Sequence, residues 1–389
     1  MIILLVVFFI ELLLYLIYKK SNLILSKKDK FPSISNELIK KFNSFDFELG
    51  WVNKKNTIKK ELSQAKEIIY TYNKIGARSI GKIDLEDSTI STYGDSYCLG
   101  REVMDTETWQ YFLSEQLDTN VSNFGVGNYG LDQSLLRLKK EYLSNPTKIV
   151  IMAITPYTIT RITSVWKHFS EFENVLAVKP RYIVQNNKLE FIPNILKCKE
   201  DLRDIEQYQD FFNKYDEHIS YFNEHIYSFP FIFSFIKNPT PLLKSINVKL
   251  MVLFKKLKFP KVALWFSTQY FLSDIKYREL LFVKNQKLLK LLIEEYAIFA
   301  KENGFRPVFL MLPTIEDVRY YKRTNILYYD AFIKSIKSEL LALDFMDFLS
   351  QDVEKVSEYY IDDYWGGHYS LLGNSELAIF LKEKLNEKT

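Results

Sequence analysis

Hydrophobic and polar positions along this chain switch between two periods. Short β-branched or apolar runs at Thr89–Tyr93, Val121–Phe124, Lys148–Thr155, Pro307–Leu312 and Leu343–Phe348 read as strands. Between them, apolar residues recur at helical spacing over Thr106–Leu117, Leu131–Tyr142, Leu280–Asn303 and Tyr329–Leu341, and a last helix is expected over Leu371–Leu385. Alternation of this kind predicts an α/β fold with a parallel sheet and helices on both faces.

The alternation breaks between about Val165 and Tyr277, which reads as an insertion. Inside it, Lys179–Ile192 predicts a β-hairpin that turns at Asn186-Asn187, two residues that tolerate positive φ. Helical, aromatic-rich sequence follows. Phe231–Lys261 holds Lys237, Lys244, Lys249, Lys255, Lys256, Lys258 and Lys261 and no acidic residue. It is either a lysine-edged helical pair covering the sheet or a segment lying on an anionic membrane surface.

At the other end, Met1–Tyr18 is apolar except for Glu11. At ~1.5 Å per residue it reaches roughly 27 Å, about one hydrocarbon core, so a single transmembrane anchor over residues 1–18 is expected. Lys19, Lys20, Lys27, Lys28 and Lys30 follow it, and the positive-inside rule then puts the rest of the chain on the cytoplasmic side. Residues 19–88 read as a lysine-rich leader short of strong strands, and the organised domain is expected over residues 89–389.

The chain has 389 residues, 47% of them hydrophobic and 16% aromatic, enough to bury a sizeable core. A net charge of +4 gives no concentrated basic face for nucleic acid. Cys98 and Cys198 make neither a disulfide framework nor a zinc site, and no metal or cofactor is implied.

Three segments carry candidate chemistry. In Tyr93-Gly94-Asp95-Ser96, a serine follows a strand and opens a helix, which exposes its hydroxyl at the carboxyl end of a sheet. Asp95 suits the helix cap. In Val121–Gln133, Gly125, Gly127 and Gly130 follow a strand and precede a helix, fitting a loop whose N–H groups face developing negative charge. Far along the chain, His368 sits in a glycine-flanked loop before a helix, with Asp362 and Asp363 near enough to orient its ring. Serine and histidine together are the raw material of a nucleophile–base pair. Cys98 is set aside as nucleophile because it falls inside the helix. His168, His218 and His225 lack matching surroundings.

Together these segments resemble the SGNH, or GDSL, hydrolase superfamily, over roughly Thr89–Ser170 and Phe305–Leu385. The pattern is most similar to a membrane-anchored bacterial branch associated with polysaccharide modification. That branch shows segments like Asn123-Phe124-Gly125-Val126, Tyr129-Gly130-Leu131-Asp132-Gln133, Thr160-Arg161-Ile162, Val178-Lys179-Pro180-Arg181-Tyr182 and Gly367-His368-Tyr369-Ser370. The resemblance implies a flavodoxin-like three-layer α/β/α sandwich and Ser–His–Asp ester hydrolysis or acyl transfer. It also favours an extracytoplasmic domain, against the charge bias.

Three positions depart from the family pattern. Asn128 stands where the second oxyanion donor is a glycine, Thr158 or Thr160 where an asparagine is usual, and Trp365 where the acid normally precedes the histidine by three. The resulting expectation is Ser96 as nucleophile, His368 as base, Asp363 (alternatively Asp362) as orienting acid, and Ser96, Gly125, Gly127, Asn128 and Thr158 around the oxyanion. The expected substrate is an O-acylated carbohydrate or small ester. The alternatives are an O-acetyltransferase with the same residues and a non-catalytic glycan-binding or assembly protein.

Overall fold

The computed structural model describes residues 2–19, 29–64, 66–81, 88–171, 174–352, 355–362 and 367–387. The strands are β1 (Phe45–Asp46), β2 (Gly50–Trp51), β3 (Thr57–Ser63), β4 (Lys66–Tyr72), β5 (Ile90–Gly94), β6 (Val121–Asn123), β7 (Ile149–Ile154), β8 (Arg181–Gln185), β9 (Lys188–Ile192), β10 (Arg306–Met311) and β11 (Leu341–Asp344). They and the helices belong to two compact units.

The larger unit holds residues 43–162, 179–194 and 278–389. Its centre is a five-stranded sheet in the order β11-β10-β7-β5-β6, every pairing parallel. Counted within the sheet alone, that order is 2-1-3-4-5, the doubly wound arrangement whose switch point lies between the first and third strands. Here those strands are β5 and β7. Alternate residues point to opposite faces of a strand. Ile151, Ala153, Val308 and Leu310 join a core with Trp109, Leu113, Leu377 and Leu381 from the helices Trp109–Leu117 and Leu371–Asn386. Phe309, one residue off that register, meets Phe332 of the helix Asp330–Ile336 at 5.5 Å. Both faces are therefore covered by helices. Burying a Val, Leu, Ile, Phe or Met side chain stabilises by about 1.5–3 kcal/mol, so a layer of such residues on each face dominates this unit's stability.

Two sequence expectations fail in this unit. Residues 43–72, read as part of a leader short of strong strands, supply β1 to β4: β1 and β2 are two residues long, β3 is mostly solvent-facing, and β4 alternates, burying Ile68, Tyr70 and Tyr72. The expected strand Leu343–Phe348 stops at Asp344, whose carboxylate accepts from Met346 N at 2.9 Å and turns the chain into the helix Met346–Leu349. The hairpin β8–β9 turns where expected, with φ of 49° at Asn186 and 64° at Asn187, and it belongs to this unit.

The smaller unit holds residues 1–42, 163–178 and 195–277. One core is aromatic: Trp166 stacks on Phe212 at 5.2 Å, and Phe169 meets Phe222 at 5.3 Å. Asp216 ties its loops, accepting from Ser164 Oγ, Val165 N and Trp166 N at 2.8–3.0 Å. The N-terminal helix Ile2–Lys19 packs through Tyr15 and Tyr18 on Phe231 and Tyr227. Glu11, the one acidic residue of that helix, accepts from Phe231 N at 2.7 Å and Ile232 N at 3.0 Å, capping the helix Phe231–Lys237.

A single transmembrane anchor over residues 1–18 is the expectation from sequence. Among the described residues no helix is long and apolar enough to cross a membrane. A carboxylate halfway along Ile2–Lys19 is bound to the amides at a neighbouring helix terminus.

Candidate active site

The nucleophile turn is built by three consecutive residues. Gly94 ends β5 so close to β7 that a Cβ there would fall 1.7 Å from the Ala153 carbonyl oxygen, which only glycine permits. Asp95 is fully buried; its Oδ1 accepts from Tyr97 N at 2.9 Å and caps the helix Ser96–Leu99. Its Oδ2 accepts from Thr155 N at 3.0 Å, Thr155 Oγ1 at 2.7 Å and Arg161 Nη1 at 2.9 Å, locking the turn to the end of β7. Hydrogen bonds to a charged group contribute about 1.5–3 kcal/mol each, so this carboxylate is a structural pin. Ser96 follows, 7% exposed, at the switch point of the sheet.

The histidine arrives from the opposite end of the chain. Ile361 N donates to the His368 carbonyl at 2.9 Å, Tyr360 bridges Tyr369, and Ser370 caps the helix Leu371–Asn386. A Cβ on Gly373 would lie 2.2 Å from the Tyr359 carbonyl, while Asn374 binds the Tyr369 and Ser370 carbonyls and accepts from Trp109 N. The Gly-Asn pair thus seats the loop. His368 Nε2 lies 2.8 Å from Ser96 Oγ, and the ring packs against Tyr97 with centroids 4.8 Å apart.

The carboxylate on the other ring nitrogen is Glu102: its Oε2 is 2.6 Å from His368 Nδ1 and also accepts from His368 N at 3.2 Å. The hydrogen bond from the imidazole, helped by the ring's positive charge when protonated, pulls the Glu102 carboxyl down to about 2. Ser63 Oγ donates to Glu102 Oε1 at 3.2 Å, and Tyr70 Oη accepts from Glu102 N at 2.9 Å, so β3 and β4 steady the acid.

Glu102 reaches the ring because the chain doubles back just after the nucleophile helix. Gly100 has φ of 71° and Glu102 itself 70°. Arg78 holds that bend from below, donating to the carbonyls of Leu99, Gly100 and Val103 at 2.5–2.9 Å and to Asp105 Oδ1 at 2.8 Å.

This replaces the expected acid. Asp363 lies outside the described residues. Asp362 is described, but the His368 Nδ1 position is taken by Glu102.

The glycine loop presents N–H groups beside the nucleophile. Val126 N donates to Gly94 O at 3.0 Å, and a Cβ on Gly125 would lie 2.3 Å from Leu99 N, so the loop lies directly on the nucleophile turn. Gly125 is corrected as an oxyanion donor, because its N–H is spent on Asn123 Oδ1 at 2.9 Å. Among the described residues, the N–H groups of Ser96, Gly127 and Asn128 have no acceptor. Asn128 takes φ of 70°, a left-handed conformation that asparagine tolerates. Thr158 is fully buried and its Oγ1 accepts from Leu131 N at 2.8 Å, placing it at the head of the helix Leu131–Glu141. Thr160 Oγ1 donates to Tyr157 O at 2.9 Å.

Burial pushes the Cys98 thiol far up, which keeps it from acting as a thiolate. His168, His218 and His225 each bond to neighbours in the smaller unit. Among the described residues no cluster suited to a metal ion occurs.

No family model matches the chain, and no curated protein matches it. Among solved structures it is similar to one described as "a putative lipolytic protein of G-D-S-L family from Desulfitobacterium hafniense DCB-2", at 12% identity and a TM-score of 0.34, over 77% of this chain and 99% of that one. A second solved structure is similar at 12% identity and a TM-score of 0.35, over 77% of this chain and 97% of the other.

Proposed function

We propose that this chain is a serine ester hydrolase of the SGNH type, built on a flavodoxin-like three-layer core and acting on O-acyl groups of a carbohydrate. The observation that carries the reading is the continuous chain Ser96 Oγ–His368–Glu102, at 2.8 and 2.6 Å, beside acceptor-free backbone N–H groups.

Ser96 Oγ attacks the acyl carbon while its proton passes to His368 Nε2. Glu102 holds the Nδ1 proton in place and balances the imidazolium that forms. The carbonyl oxygen, now an oxyanion, is met by the N–H groups of Ser96 and the Gly127–Asn128 loop; one such donor is worth about 3–4 kcal/mol in comparable sites. His368 then protonates the departing alcohol. Water attacks the acyl-enzyme to complete hydrolysis, or a sugar hydroxyl attacks to complete transfer. The carbohydrate assignment rests on the sequence resemblance and the chemistry on the geometry. Lipid contact through Ile2–Lys19, lying along a surface, belongs to the same reading, supported by exposed Phe8, Phe9 and Leu13 on that helix.

A fluorophosphonate tests the chemistry. Wild-type protein should be labelled, and Ser96→Ala should lose both labelling and release of p-nitrophenol from its acetate ester. Labelling that persists in Ser96→Ala overturns the assignment. Release of acetate from acetylated oligosaccharide, compared with p-nitrophenyl acetate, tests the substrate class.

A further inference from the structure

The segment just after β1 grips the glycine loop from behind. Trp51 Nε1 donates to Gly127 O at 3.0 Å. Two residues on, Asn53 Nδ2 donates to Gly125 O at 3.1 Å. The grip is returned, since Tyr129 Oη donates to Trp51 O and Gln133 Nε2 donates to Leu49 O at 2.7 Å. The Trp51 and Tyr129 rings also meet edge to face, with centroids 5.7 Å apart. All of these residues are in the larger unit.

A trans peptide is planar, with its C=O and N–H pointing opposite ways. Fixing the Gly127 carbonyl on the indole therefore aims the Asn128 N–H away from Trp51, out of the loop. The Gly125–Val126 peptide, two before it, behaves alike: Asn53 holds the Gly125 carbonyl on one side, and the Val126 N–H reaches Gly94 O on the other. Gly127 has open space around it, since nothing lies within 4 Å of where its Cβ would be, so packing does not fix this peptide plane. Trp51 is 8% exposed and Tyr129 fully buried, which makes the clamp rigid.

We propose that Trp51, with Asn53, is a positioning residue for the oxyanion site: its indole N–H sets the orientation of the Gly127–Asn128 peptide so that the Asn128 N–H faces the acyl oxygen on Ser96. This rests on the hydrolase reading. An oxyanion donor acts mainly on the transition state, so the effect belongs in kcat and not in KM.

The test compares wild type with Trp51→Phe, which keeps a ring but removes the donor, and with Asn53→Ala, which frees the Gly125–Val126 peptide of the same loop if the first variant folds poorly. Three readings are taken. Steady-state hydrolysis of p-nitrophenyl acetate should show kcat down at least tenfold in Trp51→Phe with KM within twofold. Affinity for an aryl trifluoromethyl ketone, whose adduct with Ser96 carries an oxyanion, should fall by the same factor. The amide resonance of Asn128 in the free protein should shift well beyond those of Ile151 and Leu310 in the sheet. Unchanged kcat, or loss of kcat with unchanged ketone affinity, overturns the proposal. So does an Asn128 resonance that coincides with wild type. Wild-type protein that neither hydrolyses the ester nor forms the ketone adduct overturns the hydrolase reading instead, and the Asn128 resonance still decides the orientation of the peptide.

Discussion

His368 and Glu102 share a 2.6 Å hydrogen bond across 266 residues of sequence, and the glutamate that makes it lies only six residues after Ser96. In the proposed mechanism, Ser96 and Glu102 come from one short turn, and only His368 arrives from the other end of the chain. Glu102→Gln should keep the shape of the turn but present an amide to Nδ1, favouring the wrong tautomer. The equivalent change in a serine protease triad costs about 10⁴ in kcat. We expect a loss of at least about a hundredfold here, read as kcat for p-nitrophenyl acetate, with Asp362→Asn within threefold of wild type. The opposite ranking would return the acid to the loop before His368.

The same contact makes a pH prediction. The Glu102 carboxyl is held down at about 2, below its ordinary range near 4.5, chiefly by the imidazole hydrogen bond. A depressed carboxylate binds its proton more readily in the unfolded chain. Its contribution to stability is therefore present above about 4.5 and fades as pH falls towards 2. Thermal unfolding followed from pH 6 down to pH 2.5 should show wild type losing its advantage over Glu102→Gln through that window.

Asp344 behaves in the opposite sense. It is buried at the end of β11, accepting from Met346 N, and burial pushes its carboxyl up to about 8. A carboxyl raised in the folded state binds a proton that the unfolded chain releases, so stability falls as pH rises from about 4 to 8. Asp344→Asn retains an acceptor for Met346 N without the charge. Its Tm should exceed that of wild type at pH 9, with the difference shrinking to near zero at pH 4. A constant difference across pH would mean that Asp344 does not titrate in this range.

How far the sequence speaks for itself can be judged from particular residues. β5, β7 and β10 stand within a residue or two of their expected runs: β7 and β10 are near-continuous apolar stretches, as strands buried on both faces tend to be, and β5 is marked by its β-branched residues. Asn186-Asn187 marked its hairpin because few residues accept two successive positive φ values. Ser96 and His368 were legible through the glycines and caps around them. Glu102 was not: it reaches His368 through a left-handed backbone at a non-glycine residue, and no local spacing announces that. The absence of an acid at Trp365 was the available hint. Trp51 and Asn53 were invisible for a different reason, since β1 and β2 are two residues long and carry no period to read. The hydropathy of residues 1–18 could not reveal that Glu11 binds the amides of Phe231 and Ile232.

Two surfaces of the smaller unit are proposed to meet lipid, and salt would distinguish them. Ile2–Lys19 exposes apolar side chains along its length, with Phe8 61% and Phe9 63% exposed. Burying such side chains stabilises by about 1.5–3 kcal/mol each and is insensitive to moderate salt. Lys249, Lys256 and Lys261 are exposed on the helices Thr240–Lys256 and Pro260–Lys284, and a lysine near an anionic surface contributes about 1 kcal/mol that is screened within about 10 Å at 0.1 M salt. Full-length protein should therefore cosediment with phosphatidylcholine vesicles at any salt, and more strongly with vesicles containing phosphatidylserine at low salt. The combined variant Phe8→Asp and Phe9→Asp should lose the first component, and Lys249→Glu with Lys256→Glu the second. If the lysine variant binds anionic vesicles as tightly as wild type at low salt, the basic stretch is a solvated face, and only the N-terminal helix makes the contact.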